Sequence, residues 1–423
     1  MSRILFISPL DRRSVPNTRE QNISAACRAL GHDSLSLVLT QNTDRAPLAV
    51  LRDALRWRVE TLDEGRVLAV DPLFNPCTGL KSNLDVAAAR PGAGSRLALR
   101  RRLVGLLSPL GLLRDLAVIP AFVAVAWRCG RFDLCIAYGP WATCVGWLLR
   151  SLGRVDLLVY DDQDYEPAIL HNRLRQRWAV LLERSMMQRA DRVVSIGHRL
   201  AALRRAQCGC AVVVIPNGVA PAAPPRPRPP QRPLTLAYVG NLVGWSGLDL
   251  MLQALPGLLA GGLRLQVLII GDGQPAYRDG LLAQVEAAGL QKVVRFVGRV
   301  PHAQVADWLG QADVGLAHFR PEAYRRYAFP LKVVEYMAAG LAVIGTADTE
   351  TEDIVLRHGC GLAIECSSTG IAAAVRRLAG DAALLWRCRQ AALAAAPLYR
   401  WPQLAAQQLA LVGLVAPAGP AAG

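Results

Sequence analysis

Short apolar runs of strand length alternate with helical tracts along this 423-residue chain, in two series that a proline-rich segment separates. This alternation predicts parallel strands joined by helices, as in a doubly wound α/β sheet. The separating segment, residues 216–233, cannot sustain a helix or a central strand, because proline lacks the backbone donor. The predicted strands before it are Ile4–Ile7, Ser34–Leu39, Val67–Val70, Leu134–Ala137, Leu157–Tyr160, Val193–Ile196 and Val212–Ile215. Those after it are Thr235–Gly240, Leu265–Gly271, Val293–Val297, Val314–Ala317 and Leu341–Ile344.

The length of the chain and the position of the proline-rich segment predict two domains. One hydrophobic core rarely serves more than about 250–300 residues, and this chain is longer. We therefore predict a first α/β domain over residues 1–215, an interdomain linker over residues 216–233 and a second α/β domain over residues 234–395. Ligands of such domains bind outside the carboxyl ends of the strands, so two facing sheets would hold a ligand in the cleft between them.

The composition indicates an anionic partner and a reducing environment. A formal net charge of +15 suits nucleic acid, an acidic membrane or a phosphorylated ligand. Nucleic acid is not expected, since no recognised module or interleaving of aromatic residues accompanies the charge. Ten cysteines without a repeated Cys-x-x-Cys spacing are typical of reduced thiols in a cytosolic protein. The first apolar run is too short for a signal peptide, so the mature fold is expected to start at residue 1.

Residues 96–128 combine several arginines with a long apolar tract. The tract, Leu116 to Trp127, has 12 residues, whereas a membrane-spanning helix needs about 20. One interpretation is a segment that lies in the interface of an anionic membrane. The other is a pair of core-packing helices joined near Ser108 and Pro109, with the arginines on the wet face. The sequence leaves both open.

Residues 327–346 join a Pro-Leu-Lys turn to a short helix and then to a buried strand. Pro330 suits the first turn of a helix, where free N–H groups attract phosphate. Lys332 adds a positive charge, and Glu335 follows about one turn later on the same side, where it can accept hydrogen bonds from sugar or ribose hydroxyls. This junction predicts a nucleotide-sugar site. Its predicted donor-binding residues are Pro330, Leu331, Lys332 and Glu335.

This segment resembles the donor-site signature of the retaining glycosyltransferases of family 4. Further resemblance lies in the turn at residues 215–219, the loop at residues 239–242 and the Gly-Asp-Gly turn at residues 271–273. The resemblance implies the GT-B fold, in which two Rossmann-like doubly wound domains face each other across a cleft. It also implies that residues 396–423 contain a helix that returns toward the first domain. The implied reaction moves a sugar from a nucleoside diphosphate donor to a hydroxyl with retained configuration, and it needs no metal and no cofactor beyond the donor.

The resemblance also implies roles for individual residues at the donor. Lys332 and the amides around Gly240, Gly271 and Gly273 would face the phosphates, with Arg325 or Arg326 nearby. Asn241 is also a predicted donor-binding residue. Glu335 would face the ribose or the sugar and matches the second of two glutamates that the family usually shows. Two departures are evident. Tyr327 stands at the position of the first glutamate, and Asn241 and Ser246 stand where the family commonly has a cationic pair.

Four carboxylates follow the predicted strand Leu157–Tyr160, at Asp161, Asp162, Asp164 and Glu166. Carboxylates this close shift one another's protonation and are candidates for acid and base work or for binding hydroxyls. A metal site and a solvated acidic loop are the alternatives. The resemblance favours Asp164 as the carboxylate on the acceptor side, and it places Tyr138 where many members of the family have a histidine. Asp164, Tyr138 and Glu335 are therefore the predicted catalytic residues.

The acceptor is predicted to be a lipid-linked saccharide or a growing polysaccharide at the cytoplasmic face of a membrane, because the first domain carries the basic apolar segment. A soluble natural-product acceptor remains open. Two other functions use the same donor cleft. One is a GT-B-type sugar-nucleotide epimerase, which has no acceptor. The other is a catalytically silent subunit that binds a nucleotide-sugar, which the departures at Tyr327, Asn241 and Ser246 suggest.

Overall fold

The computed structural model of the chain describes residues 1–9, 19–40, 56–73, 108–168, 173–220, 232–320, 322 and 324–415. Most of the predicted linker, residues 221–231, lies outside the described residues. The same is true of residues 96–107, at the start of the basic apolar segment.

The first domain is built on an eight-stranded sheet with the order β3-β4-β2-β1-β5-β6-β7-β8. All neighbouring strands are parallel except β3, which runs antiparallel to β4 at the edge. The strands are β1 (Arg3–Ser8), β2 (Asp33–Leu39), β3 (Arg58–Leu62), β4 (Val67–Asp71), β5 (Phe132–Tyr138), β6 (Val155–Asp162), β7 (Arg192–Ser195) and β8 (Val212–Val214). The helices are α1 (Arg19–Ala29), α2 (Ser108–Arg128), α3 (Pro140–Ser151), α4 (Arg173–Arg189) and α5 (His198–Cys208).

The second domain has a six-stranded, wholly parallel sheet with the order β11-β10-β9-β12-β13-β14. Its strands are β9 (Leu234–Val239), β10 (Leu265–Ile270), β11 (Val294–Gly298), β12 (Val314–Ala317), β13 (Ala342–Thr346) and β14 (Gly361–Ile364). Its helices are α6 (Leu248–Ala260), α7 (Pro275–Ala287), α8 (His302–Leu309), α9 (Leu331–Ala338), α10 (Glu350–His358), α11 (Ser368–Gly380) and α12 (Ala382–Ala395). A last helix, α13 (Trp401–Ala410), packs on α1 and so returns to the first domain.

The predicted strands are all present, within two residues at either end. A strand that helices cover on both faces has a continuous apolar sequence. In β1, for example, the four residues 4–7 are all fully buried. The sequence did not reveal β3 or β14. The edge strand β3 is polar and mostly exposed, and the four-residue β14 begins with a glycine. Neither therefore carries a strong apolar run.

The basic apolar segment packs into the core where the structure describes it. Val118, Phe122, Val125 and Ala126 of α2 are buried against the first sheet. The described part of the segment therefore fits the core-packing interpretation and not the membrane-interface one. Over the described ranges, no helix is both long enough and apolar enough to cross a membrane.

A buried carboxylate connects the two domains. Glu350, at the start of α10, accepts hydrogen bonds from the backbone N–H groups of His198 and Arg199 at 2.8 and 2.9 Å. These groups belong to the first turn of α5, which has no side-chain cap of its own. Arg199 adds an ion pair to Asp353 at 2.7 Å and another to Asp348 at 2.8 Å. A helix of one domain is thus capped by a residue of the other.

We expect Glu350→Ala to lower the free energy of unfolding by about 1–3 kcal/mol, because two backbone amides at the start of a helix lose their charged acceptor. Urea unfolding measures the change. The control is Glu352→Ala, since Glu352 contacts Arg199 at 3.3 Å from a position that is 26% exposed. An equal loss of stability in both variants would contradict the capping role of Glu350.

Candidate functional site

Two glycine turns meet at the carboxyl ends of β9 and β10. A Cβ atom on Gly271 would lie 2.0 Å from the carbonyl oxygen of Gly240, and one on Gly273 would lie 2.2 Å from that of Leu242. Real Cβ atoms do not approach backbone this closely. Gly240 and Gly271 also have φ angles of 141° and 136°, which favour glycine. The two turns can therefore pack together only as glycines, and they form the floor of the cleft in the second domain.

The N–H groups of these three glycines donate within the protein, and the contact of the amides around them with a phosphate stays a prediction. The N–H of Gly240 donates to Ile270 O at 3.0 Å, and that of Gly271 donates to Gly298 O at 2.8 Å. The N–H of Gly273 donates to the carboxylate of the preceding aspartate at 2.8 Å. At Gly240 and Gly271 the turns continue the hydrogen bonding of the parallel strands, which occupies these two donors.

Lys332 supplies a positive charge above this floor. Its Nζ lies 4.0 Å from the centre of the Tyr238 ring, over the turn that contains Gly240. The ammonium is buried and has no hydrogen-bond partner in the described part of the chain. Burial lowers the pKa of Lys332 to about 7; Glu335 opposes this shift, and the positive charge of Arg325 adds to it. A buried ammonium without a partner is costly, so the site favours an anion that restores its hydrogen bonds.

The start of α9 adds backbone donors beside Lys332. The helix begins at Leu331 after Pro330, which makes no side-chain cap. The first amides of a helix lack intrahelical acceptors and carry a partial positive charge. Leu331 is 45% exposed, so this end of the helix is open. Pro330, Leu331 and Lys332 thus lie together, as the sequence predicted, and they form an anion-binding corner.

Glu335 lies one turn further along α9 and contacts a histidine that the sequence analysis did not single out. Its Oε1 is 3.3 Å from Nε2 of His302, the first residue of α8. This hydrogen bond raises the pKa of His302. A signal was available, because His302 follows the predicted strand Val293–Val297, whose carboxyl end borders the same cleft.

The two positions of the expected cationic pair hold polar residues with structural contacts. Asn241 is exposed, and its carbonyl oxygen accepts a hydrogen bond from Tyr238 at 2.9 Å. Ser246 is fully buried, and its Oγ lies 3.3 Å from the hydroxyl of Tyr277. Neither position brings a positive charge to this corner, where Lys332 supplies one.

The neighbouring arginines are engaged in other contacts. Arg326 forms an ion pair with Asp348, which also binds Arg199 of the first domain. Arg325 stacks 3.4 Å from the centre of the Trp245 ring and pairs with Glu322 at 3.1 Å. The charge of Arg326 is thus already balanced, and its predicted contact with the donor stays a prediction.

Tyr327 closes the cleft from the side of the second domain. Its ring packs edge to face on Tyr165, which follows β6 in the first domain, with 5.6 Å between the ring centres. The guanidinium of Arg204 lies 5.1 Å from the centre of the Tyr165 ring. An aromatic pair therefore joins the donor side to the opposite domain.

The acidic cluster after β6 divides into separate ion pairs. Asp161 is fully buried and lies 3.0 Å from Nε of Arg19. Asp162 is 1% exposed and lies 2.8 Å from Nε of Arg204, which also binds Glu183. Burial raises the pKa of both aspartates, and the paired arginines oppose that shift. The candidate roles in acid and base work or in binding hydroxyls do not fit these two, because each is paired with an arginine from a distant part of the sequence.

Asp164 differs from its neighbours because it is exposed. It lines a cavity of about 160 Å³ at the carboxyl ends of β5 and β6, together with Tyr138, Gln163 and Glu183. Tyr138 is only 2% exposed, its ring packs in the core, and burial holds the pKa of its hydroxyl well above 10.0. This cavity is the candidate acceptor site. In the described part of the chain, no cluster of three metal-ligating side chains has the geometry of a metal site.

Residues 233–381, which include the glycine turns, Lys332 and Glu335, match the sequence profile of the family described as glycosyl transferases group 1. The matched residues lie within the second domain, which is therefore similar to that family over most of its length. The predicted resemblance is confirmed, and the first domain supplies the other wall of the cleft.

Two curated relatives match this chain at the same level of identity. The glycogen synthase of Mycobacterium tuberculosis is 31% identical over 176 residues, which cover 41% of this chain and 38% of the relative. The phosphatidyl-myo-inositol mannosyltransferase of Mycobacterium leprae is 31% identical over 218 residues, which cover 50% of this chain and 56% of the relative. The chain thus spans about half the length of the relatives that it matches, or less.

The predicted GT-B fold is confirmed by solved structures. A crystal structure of Anabaena HepE in complex with UDP is similar over 97% of this chain and 99% of that one. The TM-score is 0.63 at 17% sequence identity. Similarity at this identity extends to the arrangement of both domains and says nothing about individual residues.

The buried ammonium predicts a stability effect that depends on pH. The pKa of Lys332 is about 7 in the folded protein and 10.5 ordinarily, so folding disfavours the charged form. This cost is fully present below pH 7 and disappears as the pH rises toward 10.5. We therefore expect Lys332→Met to stabilise the protein by about 1–3 kcal/mol below pH 7 and less at higher pH. Urea unfolding across this pH range is the measurement. The exposed Lys292→Met is the control, and a gain that does not depend on pH would contradict the buried charge.

Proposed function

We propose that this protein transfers a sugar from a nucleoside diphosphate donor to an acceptor hydroxyl, with the anomeric configuration retained. The observation that carries the proposal is the buried ammonium of Lys332, which has no hydrogen-bond partner in the described part of the chain. It lies beside the open start of α9 and above the turn that contains Gly240. A diphosphate offers several acceptor oxygens and two negative charges, which is what this corner lacks.

In the proposed complex, the diphosphate accepts hydrogen bonds from Lys332 and from the first amides of α9. Its negative charge raises the pKa of Lys332 from about 7, so donor binding takes up a proton near neutral pH. Glu335 lies one turn further along the helix and accepts hydrogen bonds from ribose or sugar hydroxyls. His302, at 3.3 Å from Glu335, orients that carboxylate. Support also comes from the UDP complex of HepE, which shares the fold.

The reaction breaks the bond between the anomeric carbon and the diphosphate, and it forms a bond from that carbon to the acceptor oxygen, whose proton passes to the departing diphosphate. Negative charge builds on the departing diphosphate. Lys332 and the helix amides stabilise this charge in the transition state, and such fixed donors in a dry cleft are worth several kcal/mol. The contact between Tyr165 and Tyr327 helps to exclude water between the two domains.

We propose that the acceptor lies in the cavity at the ends of β5 and β6, with its hydroxyl held by Asp164. The acceptor class that we favour is a lipid-linked saccharide or a polysaccharide at the cytoplasmic face of a membrane. The relative named as a phosphatidyl-myo-inositol mannosyltransferase supports this choice, as does the net charge of +15.

A thermal-shift screen against UDP, GDP, ADP, TDP and their sugar conjugates tests the donor site. We expect one of these nucleotides to stabilise the protein by mass action. We expect Lys332→Met to weaken the binding of that nucleotide about 10-fold or more, as the loss of a charged hydrogen bond does. Lys292→Met keeps the total charge of the Lys332 variant and is expected to bind as the wild type does. No stabilisation of folded wild-type protein by any nucleotide, or equal binding by all three proteins, would refute the donor site.

The acceptor site is tested by Asp164→Asn. We expect transfer to fall about 10-fold or more while nucleotide affinity stays unchanged, because Asp164 contacts only the acceptor in this arrangement. Isothermal titration with the nucleotide found in the screen and a transfer assay provide the two values. An equal loss of both would place Asp164 at the donor instead.

A further inference from the structure

An apolar stripe is exposed on α4 of the first domain. Trp178 is 66% exposed, Leu181 57% and Leu182 40%. Spacings of three and four residues place these side chains on one face of the helix. Three large apolar residues together on a surface helix differ from the scattered single residues of an ordinary surface. The stripe is therefore a candidate interaction surface.

The opposite face of α4 holds the helix to the domain. Met186 and Met187 are buried there, and Glu183 is 1% exposed within its ion pair to Arg204. This buried face accounts for the packing of the helix. The exposed stripe is not needed for the fold.

Arginines border the stripe. Arg173, Arg177 and Arg184 are exposed, and within the described ranges none of them forms an ion pair. The only acidic residue in α4 is Glu183, which faces the interior. The exposed side of the helix thus combines Trp and Leu with uncompensated positive charge.

We infer that this face of α4 binds the surface of an anionic lipid bilayer. Tryptophan and leucine insert at the level of the headgroups, and flanking arginines extend their charged ends toward lipid phosphates. A protein partner fits less well, because a stable protein interface buries about 800 Å² on each side, far more than three side chains supply. The charge complementarity selects a negatively charged surface.

The position of the helix connects this surface to the acceptor cavity. Glu183, on the inner face of α4, lines that cavity together with Asp164. Binding of α4 to a membrane therefore brings the cavity close to the lipid headgroups, where a lipid-linked acceptor is anchored. This last step rests on the proposed function, whereas membrane binding itself does not require it.

Co-sedimentation of the full chain with vesicles tests the inference. The vesicles contain phosphatidylcholine alone or phosphatidylcholine mixed with phosphatidylglycerol. We expect the wild type to bind only the mixed vesicles. Trp178→Ser is expected to reduce partitioning about 10-fold, through the loss of buried apolar area. Arg177→Gln and Arg184→Gln are each expected to reduce it about 5-fold, since one basic residue near such a surface contributes about 1 kcal/mol.

Matched controls lie on α12 in the second domain. Trp386 is 64% exposed, close to the value for Trp178, and Arg387 follows it in an exposed position. Trp386→Ser and Arg387→Gln are expected to bind vesicles as the wild type does. Circular dichroism checks that each variant is folded.

Three outcomes would overturn the inference. They are the absence of wild-type binding to mixed vesicles, an unchanged affinity of the Trp178→Ser variant, and an equal loss in the Trp386→Ser control. Size-exclusion chromatography without lipid tests the alternative, which is that a second copy of the chain binds to the stripe. A dimer that Trp178→Ser dissociates would assign the stripe to self-association. Because these assays need no nucleotide, their failure is distinct from a failure of the donor screen.

Discussion

The geometry of the cleft depends on charged groups buried where the two domains meet. Glu350 caps α5 from the other domain, and Asp161 holds Arg19 at 3.0 Å and Gln408 of the returning helix at 2.9 Å. Arg19 also donates to Pro216 O at 2.6 Å, at the end of the first domain. Such buried pairs add little net stability, but the loss of one partner is costly, so they define one arrangement strongly. The chain leaves the first domain at Pro216 and returns to it in α13, and the contacts of Arg19 and Asp161 hold both of these segments.

At the candidate donor site, in contrast, the central positive charge forms no ion pair within the described part of the chain. Lys332 remains beside an aromatic ring with no hydrogen-bond partner in the described part of the chain. Folding leaves the cost of burying this ammonium uncompensated. An anion that forms hydrogen bonds with the ammonium recovers that free energy on binding. A protein that stabilised this ammonium internally would lose that contribution, which is the usual conflict between stability and function at such sites.

The sequence predicted the fold well because buried parallel strands are recognisable as continuous apolar runs. It also predicted the corner formed by Pro330, Leu331 and Lys332, which is local in sequence. The sequence did not predict the role of a residue whose partner is distant along the chain. Asp161 and Asp162 were candidates for acid and base work because nothing in the neighbouring sequence indicates that Arg19 and Arg204 pair with them. The acceptors of two glycine N–H groups could not be predicted either, since those of Gly240 and Gly271 lie in adjacent strands.

The two glycine turns have a consequence for how this domain can change over time. At Gly271 and Gly273 the neighbouring backbone occupies the space of a Cβ atom. Every missense mutation of a glycine codon introduces such an atom, so no single substitution at these positions is conservative. Adaptation to a different donor must therefore proceed through the side chains around the turns, such as Asn241 and His302, while the turns themselves stay fixed.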